Sequence, residues 1–405
     1  MIEYKLSNGI DIQYIKRNGN ISSFCIGFNA GALVEKENEF GLAHAVEHMV
    51  FKGTQNRTEE EINKLSDEIF GFHNAMTNYP YVIYYGTTLS CDFKKGFEIY
   101  SDIILNPIFS KEGFKEEMDV ILEELKEWKD EPYQECEDEL YYNSFNSRRI
   151  KELIIGNEKS IKNIRLGDIK RFYKEHYAPQ NCVISVVSSL EFEEVLQIAN
   201  EYFNAFNNDY TYIHKEKYED NNEGVFHKIR KDLNGAKIEY CFPIDMLNEE
   251  EIKLLKIFNF IFGEGTSSIL YDEIRTKNGL VYDISSSIKN ESGIKLFTIK
   301  LGTSIHNINK AIELINHKIE EIKGIKGIFN KKNISKIIKS LNLKKELSIE
   351  RSIQLTKQLT THKIMYNSID NVFNEFSNLE INEEKILRVI NKILKSPSIQ
   401  VLRPE

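Results

Sequence analysis

The chain has 405 residues, of which 41% are hydrophobic and 28% charged, and its formal net charge at pH 7 is -9. This length exceeds one ordinary domain and suits two domains of about 200 residues, each with an ample core. The negative charge argues against nucleic acid as a partner, because polyanion binding usually requires a basic domain. No stretch approaches the roughly 18 apolar residues of a membrane span.

The cysteines and the first residues indicate the compartment. The five cysteines are odd in number, and none of them forms a C-x-x-C pair. A disulfide framework is therefore improbable, and reduced core thiols fit a cytoplasmic protein. Residues 1–5 lead directly into a strand pattern without the basic and apolar regions of a signal peptide.

The first elements of the chain alternate between strand and helix patterns. Apolar and polar residues alternate over 9–14 and 22–28, which predicts two strands. Apolar residues recur at helical spacing over 59–70 and 92–104, which predicts two amphipathic helices. This mixture is typical of an α+β domain.

Residues 44–48 read H-A-V-E-H and contain the first candidate site. Residues four apart share one face of a helix, so His44 and His48 can both direct an imidazole nitrogen at one ion. Glu47 would stand beside them, near a bound water. The H-x-x-E-H pattern is the inverted form of the zinc-peptidase signature H-E-x-x-H. Apolar neighbours indicate a half-buried helix, on which two histidines and a glutamate need partners or a metal to offset desolvation.

A catalytic zinc site needs a third protein ligand. The best candidate lies in 114–128, where apolar residues recur at helical spacing. Glu117 and Glu124 are two turns apart and share nearly the same side of that helix. Glu124 could complete the metal shell while Glu117 supports it through a hydrogen bond. On spacing alone, Glu123 is an alternative ligand.

The middle of the chain predicts a turn, a strand and a boundary. A Pro-Asn turn in 176–187 leads into an apolar run that predicts a buried strand. The polar, charged stretch from 206 to 224 predicts a domain boundary. The two domains are expected at 1–212 and 213–405.

The second half repeats the order of the first. Strand patterns at 237–243 and 297–302 flank a helix pattern at 249–262. We therefore expect two α+β domains of similar plan, each with a mainly antiparallel sheet covered by helices. The Lys-rich stretch at 322–332 is interpreted as helices with solvated basic faces joined by glycine turns.

Together these motifs resemble the pitrilysin and insulysin family of inverted-motif zinc metallopeptidases, especially its short members, which are similar to mitochondrial processing peptidase. In that family the third ligand follows the second histidine by about the interval that separates His48 from Glu124. The resemblance therefore selects Glu124 over Glu123. It also implies Zn²⁺ as the cofactor and a fold of two similar domains that form half of a clamshell.

Two further segments carry the resemblance. Asn74, Ala75, Met76 and Thr77 resemble the edge strand beside which the family's substrate backbone adds as an extra strand. The segment 263–282 resembles the family's arginine and tyrosine segment, in which residues equivalent to Arg275 and Tyr282 reach toward the scissile carbonyl. Read without the family, Arg275 would be a helix-end cation and Tyr282 a strand aromatic.

The chain also departs from the family near the edge strand. Phe70 precedes Gly71 where the family often has paired glycines. Pro80 falls within an expected strand, and because proline cannot donate a ladder hydrogen bond it implies an edge strand or a bulge. These differences bear on substrate fit rather than on the metal.

The resemblance implies a zinc endopeptidase that cleaves peptides or unfolded segments in an enclosed chamber. Glu47 would act as general base on a zinc-bound water, and Arg275 and Tyr282 would stabilise the oxyanion. The implied assembly is a homodimer in which Arg275 and Tyr282 of one subunit complete the zinc site of the other. A heterodimer with a degenerate paralogue is the alternative assembly.

Two other functions compete with catalysis. One is a peptide-binding partner subunit of a heterodimeric processing peptidase, without catalysis of its own. Degenerate relatives of that kind normally lose a ligand or the glutamate, whereas this chain keeps all four site residues. The other is a structural zinc protein, which would need four closed ligands where three can be named.

Overall fold

The computed structural model describes residues 1–208, 210, 217–373, 376 and 380–405. The chain forms two compact units, and each is discontinuous in sequence. Unit 1 comprises Met1–Leu125, Leu153–Lys215 and Lys345–Phe373, and unit 2 comprises Lys126–Glu152, Glu216–Lys344 and Asn374–Glu405. The boundary expected between residues 212 and 213 lies outside the described residues.

Strands and helices alternate along the described chain. The strands are β1 (Ile2–Lys5), β2 (Asp11–Lys16), β3 (Ile21–Phe28), β4 (Phe70–Thr77), β5 (Val82–Leu89), β6 (Cys182–Ser188), β7 (Gly224–Ile229), β8 (Ala236–Pro243), β9 (Val281–Lys289), β10 (Leu296–Thr303) and β11 (Ser398–Arg403). The α-helices are α1 (Leu42–Val50), α2 (Glu59–Ile69), α3 (Phe93–Leu105), α4 (Lys111–Asp130), α5 (Pro132–Ser144), α6 (Glu158–Asn163), α7 (Leu166–His176), α8 (Phe192–Phe203), α9 (Glu249–Phe262), α10 (Ile308–Gly324), α11 (Lys331–Ile349), α12 (Ser352–Tyr366) and α13 (Glu383–Ile393). Within the described ranges, none of these helices combines the length and apolar character needed to cross a membrane.

Each unit is built on one sheet. The sheet of unit 1 has the order β1-β2-β6-β3-β5-β4, and the sheet of unit 2 has the order β7-β11-β8-β10-β9. Neighbouring strands are antiparallel except for one parallel pair in each sheet, β2 with β6 and β7 with β11. The predicted α+β class, with two units of sheet and helices, is confirmed.

The sheet of unit 1 is covered on both faces. Phe24, Ile26 and Phe28 of β3 belong to a core that includes buried side chains of α1, α3, α7 and α8. Side chains on a strand alternate between faces, so Cys25 points the other way and packs with Ile353 of α12. Because both faces of the sheet are covered, β6 is buried along its whole length. A strand of this kind has a mostly apolar sequence.

Local capping sets where individual helices begin. The Thr58 hydroxyl accepts a hydrogen bond from the Glu61 backbone N–H at 3.3 Å, and the Glu61 carboxylate accepts one from the Thr58 N–H at 2.8 Å. This reciprocal pair satisfies two donors that a helix N-terminus leaves without intrahelical partners. Asn248 and Glu251 repeat the arrangement at the start of α9.

Helices α5 and α12 each pack on a sheet whose strands come from the other half of the sequence. Helix α12 comes late in the chain but packs on β3, β5 and β6 of unit 1, where the Thr360 hydroxyl lies 2.7 Å from the Ser185 hydroxyl. Helix α5 comes early but packs on β8 and β11 of unit 2, where Asn143 donates to the Gln400 side chain at 2.9 Å.

The expectation that Pro80 interrupts a strand is wrong. Pro80 lies in the connection between β4 and β5, after Thr77 and before Val82, where no ladder hydrogen bond is required of its nitrogen. The irregular register of β4 is at its other end, between Phe70 and Phe72, and it leaves Gly71 without a pairing partner in the ladder. The bulge is therefore associated with Gly71 rather than with Pro80.

The contact between α12 and β3 yields a stability prediction. A Cβ added at Gly27 would lie 2.5 Å from Thr360 Cγ2 and 2.9 Å from Ile364 Cδ1. We expect Gly27→Ala to lower the free energy of unfolding by about 1–3 kcal/mol through overpacking, measured by denaturant unfolding.

Gly167→Ala is the matched control, because a Cβ at this α7 position meets nothing within 4 Å. Its effect should be neutral or stabilising by at most about 1 kcal/mol, since alanine favours helix over glycine. Equal unfolding midpoints for Gly27→Ala and the unchanged chain would contradict the close packing of α12 on β3.

Candidate metal centre

Helix α1 carries three of the predicted site residues, and its start is fixed by tertiary contacts. Gly41 precedes it with φ of 94°, a left-handed conformation that favours glycine. A Cβ there would lie 2.4 Å from the Ile155 carbonyl oxygen. The buried Glu35 carboxylate accepts hydrogen bonds from the N–H groups of Gly41 at 3.3 Å and Ala43 at 2.8 Å. A negative charge at a helix N-terminus is stabilising, so these contacts set the position from which His44, Glu47 and His48 are presented.

The structure brings His44 and His48 of α1 together with Glu124 of α4. Glu124 Oε2 lies 3.8 Å from His44 Nε2 and 3.6 Å from His48 Nε2. One ligand atom from each of the three residues can be chosen so that all lie within 4.8 Å of one another. Glu123 is exposed and does not belong to this group.

These three side chains fit a zinc ion. Two imidazole nitrogens and one carboxylate oxygen form a donor set of the catalytic type, which leaves a fourth position for water or substrate. Ligand atoms bound tetrahedrally at about 2.1 Å lie roughly 3.4 Å apart, close to the separations between Glu124 Oε2 and the two Nε2 atoms. The side chains of His44 and His48 are 17% and 18% exposed, so the group is accessible from one side.

Glu117 orients His48 through its second ring nitrogen. Glu117 Oε2 lies 2.8 Å from His48 Nδ1, and Glu117 Oε1 lies 3.2 Å from Lys52 Nζ. Burial opposes ionisation of Glu117, but the bonds to His48 and Lys52 outweigh it and lower the pKa of Glu117. An ionised Glu117 accepts the Nδ1–H, which leaves the Nε2 lone pair of His48 for a metal.

Their surroundings shift the pKa values of the two imidazoles in opposite directions. Burial, followed by the charge of His48, lowers the pKa of His44 to about 3, so His44 is neutral, as a metal ligand must be. His44 Nδ1 is buried and has no hydrogen-bond partner among the described residues. Burial also acts to lower the pKa of His48, but the bond to Glu117 and the charges of neighbouring glutamates outweigh it and raise that pKa.

Glu47 lies on the same helix but outside the three-ligand group. It is 9% exposed, and the Thr77 hydroxyl of β4 donates a hydrogen bond to Glu47 Oε2. Burial raises the pKa of Glu47, and the hydrogen bonds from Thr77 act in the opposite direction. A carboxylate with a raised pKa is suited to accept and return a proton near neutral pH.

The remaining predicted site residues belong to β4 and to unit 2. Asn74, Ala75, Met76 and Thr77 belong to β4, the last strand of its sheet. Arg275 and Tyr282 belong to unit 2 and are not part of the group in unit 1. The Arg275 guanidinium lies 4.6 Å from the Tyr271 ring centroid, and Tyr282 in β9 is 64% exposed.

Sequence reasoning missed three supporting contacts. Glu35 lies six and eight residues before its partners Gly41 and Ala43, and Thr77 lies 30 residues after Glu47. No repeating sequence pattern indicates either contact. Lys52 could have been found, because it follows His48 by four residues and continues the same face just beyond the helix. It joins Glu117 to Glu59, whose Oε1 lies 2.8 Å from Lys52 Nζ.

Two family models match this chain. The model described as insulinase, peptidase family M16, matches residues 13–158, which contain the whole metal-binding group and Glu47. The model described as the peptidase M16 inactive domain matches residues 163–341. Together the two matches cover most of the chain.

Relatives and a solved structure agree with these models. A protein of Rickettsia bellii described as an uncharacterized zinc protease is 28% identical over 98% of this chain and 92% of its own length. The beta subunit of the mitochondrial-processing peptidase of Saccharomyces cerevisiae is 34% identical, over 49% of this chain and 43% of its own length. The crystal structure of a protease from Helicobacter pylori matches with a TM-score of 0.88 at 19% identity, covering 100% of this chain and 99% of that one, which shows the shared fold. On the two family models and these relatives, the chain belongs to the insulinase, or pitrilysin, family of metallopeptidases.

Proposed function

We propose that the chain is a zinc-dependent endopeptidase that cleaves peptides or unfolded segments, with Glu47 as its general base. The observation that carries this proposal is the convergence of His44, His48 and Glu124 beside a buried glutamate on the same helix. All four residues lie in the segment that matches the insulinase model.

The metal ligands and Glu47 have different chemical roles. A zinc ion held by His44, His48 and Glu124 supplies Lewis-acid chemistry, acidifying water and polarising a carbonyl. Glu47, positioned by the Thr77 hydroxyl at Oε2, takes the proton of the attacking water. The same carboxyl group then delivers a proton to the leaving amine, so that the carboxylate is regenerated.

Strand β4 supports the binding of extended substrates. It is the last strand of its sheet, so in the described structure no further strand pairs with its outer edge. An added segment would receive main-chain hydrogen bonds along that edge, and neighbouring side chains would select among sequences. A folded protein has few free extended segments, which favours peptides and unfolded segments as substrates in an enclosed chamber.

We also propose a homodimer as the working assembly, with Arg275 and Tyr282 of a second copy as donors to the oxyanion. The exposure of both side chains supports this role, because an oxyanion donor must reach a substrate. A heterodimer with a degenerate paralogue would serve the same purpose.

A noncatalytic partner subunit is the second candidate function. It is favoured by the description of the model matched by residues 163–341 as an inactive domain. That segment does not contain the metal-binding residues, however, and residues 13–158 retain all of them. The experiments below separate the two functions.

Glu47→Gln tests the general base. The substitution keeps the shape of the side chain but removes the proton acceptor, so we expect kcat/KM for quenched fluorescent peptides to fall about 10²- to 10⁴-fold with zinc content unchanged. Glu60→Gln on the exposed surface of α2 is the control and should keep full activity.

Cleavage that persists in Glu47→Gln at the original rate would refute the role of Glu47. Zinc at one ion per chain, without cleavage by any version of the chain, would instead favour the partner-subunit function.

Glu124→Gln tests the third ligand. A neutral amide is a poorer zinc ligand than a carboxylate, so we expect zinc content after dialysis to fall well below one ion per chain. Glu123→Gln changes the next residue, which is exposed and outside the group, and should retain zinc. Equal zinc content in the two variants would overturn the assignment of Glu124.

Glu117→Gln tests the support of His48. Loss of the charged acceptor at Nδ1 should weaken zinc binding about 10- to 100-fold, measured by competition with a chelating dye. Glu116→Gln is the matched control, because Glu116 also approaches Lys52, at 3.5 Å, but is 68% exposed. If both variants bound zinc equally, the hydrogen bond to His48 would not contribute to zinc affinity.

A further inference from the structure

The two faces of β4 are directed to different parts of unit 1. Thr77 contacts Glu47 of α1, and Ala75 packs against the core that includes α1. Because side chains alternate along a strand, Phe72, Asn74 and Met76 share the opposite face. Met76 packs there with the cluster that includes Ile353 of α12, so β4 has one face toward the metal centre and one toward α12.

Lys357 of α12 is the charged group next to this second face. Its Nζ lies 4.3 Å from the centroid of the Tyr85 ring, and Tyr85 of β5 is paired with Asn74 of β4. The Phe72 ring lies 6.1 Å from the Tyr85 ring, centroid to centroid. Lys357 and the exposed Phe72 therefore both contact the buried Tyr85 ring, and Phe72 belongs to the edge strand.

Lys357 has no carboxylate within 4 Å among the described residues, unlike Lys363 on the same helix. Lys363 Nζ lies 3.2 Å from a Glu3 carboxylate oxygen of β1. Lys357 is partly buried, and burial lowers its pKa. The face of an aromatic ring offsets only part of the cost of removing an ammonium group from water. A carboxylate brought to this position would offset more of it.

The edge of β4 is where such a carboxylate would arrive. A segment added beside β4 lies about 4.8 Å from it and shares its alternation of faces. Every second side chain of that segment would point to the α12 side, next to Phe72 and Asn74. Lys357 contacts Tyr85 of β5, one strand further in, so two strand spacings, about 9–10 Å, separate β5 from the added segment. An extended lysine side chain and an acidic side chain pointing toward each other together span that distance.

We propose that Lys357, with Tyr85 and Phe72, forms a subsite for an acidic side chain of the bound segment, on the sheet face opposite the metal centre. This inference rests on the proposed addition of substrates beside β4. It assigns a substrate class: extended segments with Asp or Glu at a position that faces α12. The residues before and after that position would face α1, and their charge would not be sensed by Lys357.

The test is a binding measurement that does not depend on cleavage. The full-length Glu47→Gln chain, loaded with zinc, is titrated into fluorescently labelled peptides with blocked termini, and anisotropy is recorded. The peptides are otherwise uncharged and carry Glu or Gln at each position in turn. We expect Glu to bind about three- to tenfold more tightly than Gln where the side chain faces Lys357, and equally at the adjacent positions.

The variants identify the group responsible. Lys357→Met should abolish the preference for Glu, and Lys357→Glu should make Gln the better residue at the same position. Lys363→Met, which removes one positive charge from the same helix, should leave the preference unchanged. Thermal unfolding checks that each variant is folded, and Lys357→Gln replaces Lys357→Met if the latter is not.

Equal affinities for Glu and Gln peptides at every position would overturn the subsite. So would a preference that survives Lys357→Met, or the failure of all these peptides to bind. Cleavage of peptides by the unchanged chain tests the proposed catalysis separately. A preference that depends on Lys357, in a chain that cleaves nothing, would support the subsite and refute the peptidase.

Discussion

The burial of polar groups on helix α1 is the constraint on which the metal centre depends. A buried carboxylate and two half-buried imidazoles are costly to desolvate unless each finds a partner. Thr77 meets Glu47, and Glu117 meets His48. The backbone donors at the start of the helix are met by Glu35. Among the described residues, the Nε2 atoms of His44 and His48 are left facing Glu124. A cation placed among these three side chains would satisfy both Nε2 atoms and the Glu124 carboxylate, whereas His44 Nδ1 has no partner among the described residues.

The parts of the site that sequence could predict are those set by local geometry. His44 and His48 share a helix face because they are four residues apart, and Glu117 and Glu124 do so because they are two turns apart. The predicted strands and helices follow from periodicity in the same way, and β6 follows the expected turn as a buried strand. Spacing alone left Glu123 as an alternative ligand, and the choice of Glu124 required comparison with the family. The roles of Arg275, Tyr282 and the edge strand rest on the same resemblance.

Contacts set by tertiary packing are not indicated by helical or strand spacing. Examples are the hydrogen bonds of Glu35 to the start of α1 and of Thr77 to Glu47. Pro80 falls within an expected strand in the sequence, whereas the structure has it in the connection between β4 and β5. Length and composition likewise predict two successive domains. They do not indicate that α5 and α12 pack on the sheet formed by the other half of the chain. The packing of α12 on the sheet of unit 1 depends on shape, because the absence of a side chain at Gly27 leaves room for Thr360.

The late position of α12 in the sequence affects how unit 1 folds during synthesis. The strands of unit 1, as well as His44, His48 and Glu124, precede residue 189. The helix that covers Cys25 and Ile83 of the sheet ends at Tyr366. During synthesis from the N-terminus, one apolar face of this sheet therefore stays uncovered until nearly two hundred further residues have been added. Unit 1, which carries the candidate metal centre, is completed only after α12 has been synthesised. Until then the uncovered face is a surface for chaperones to shield.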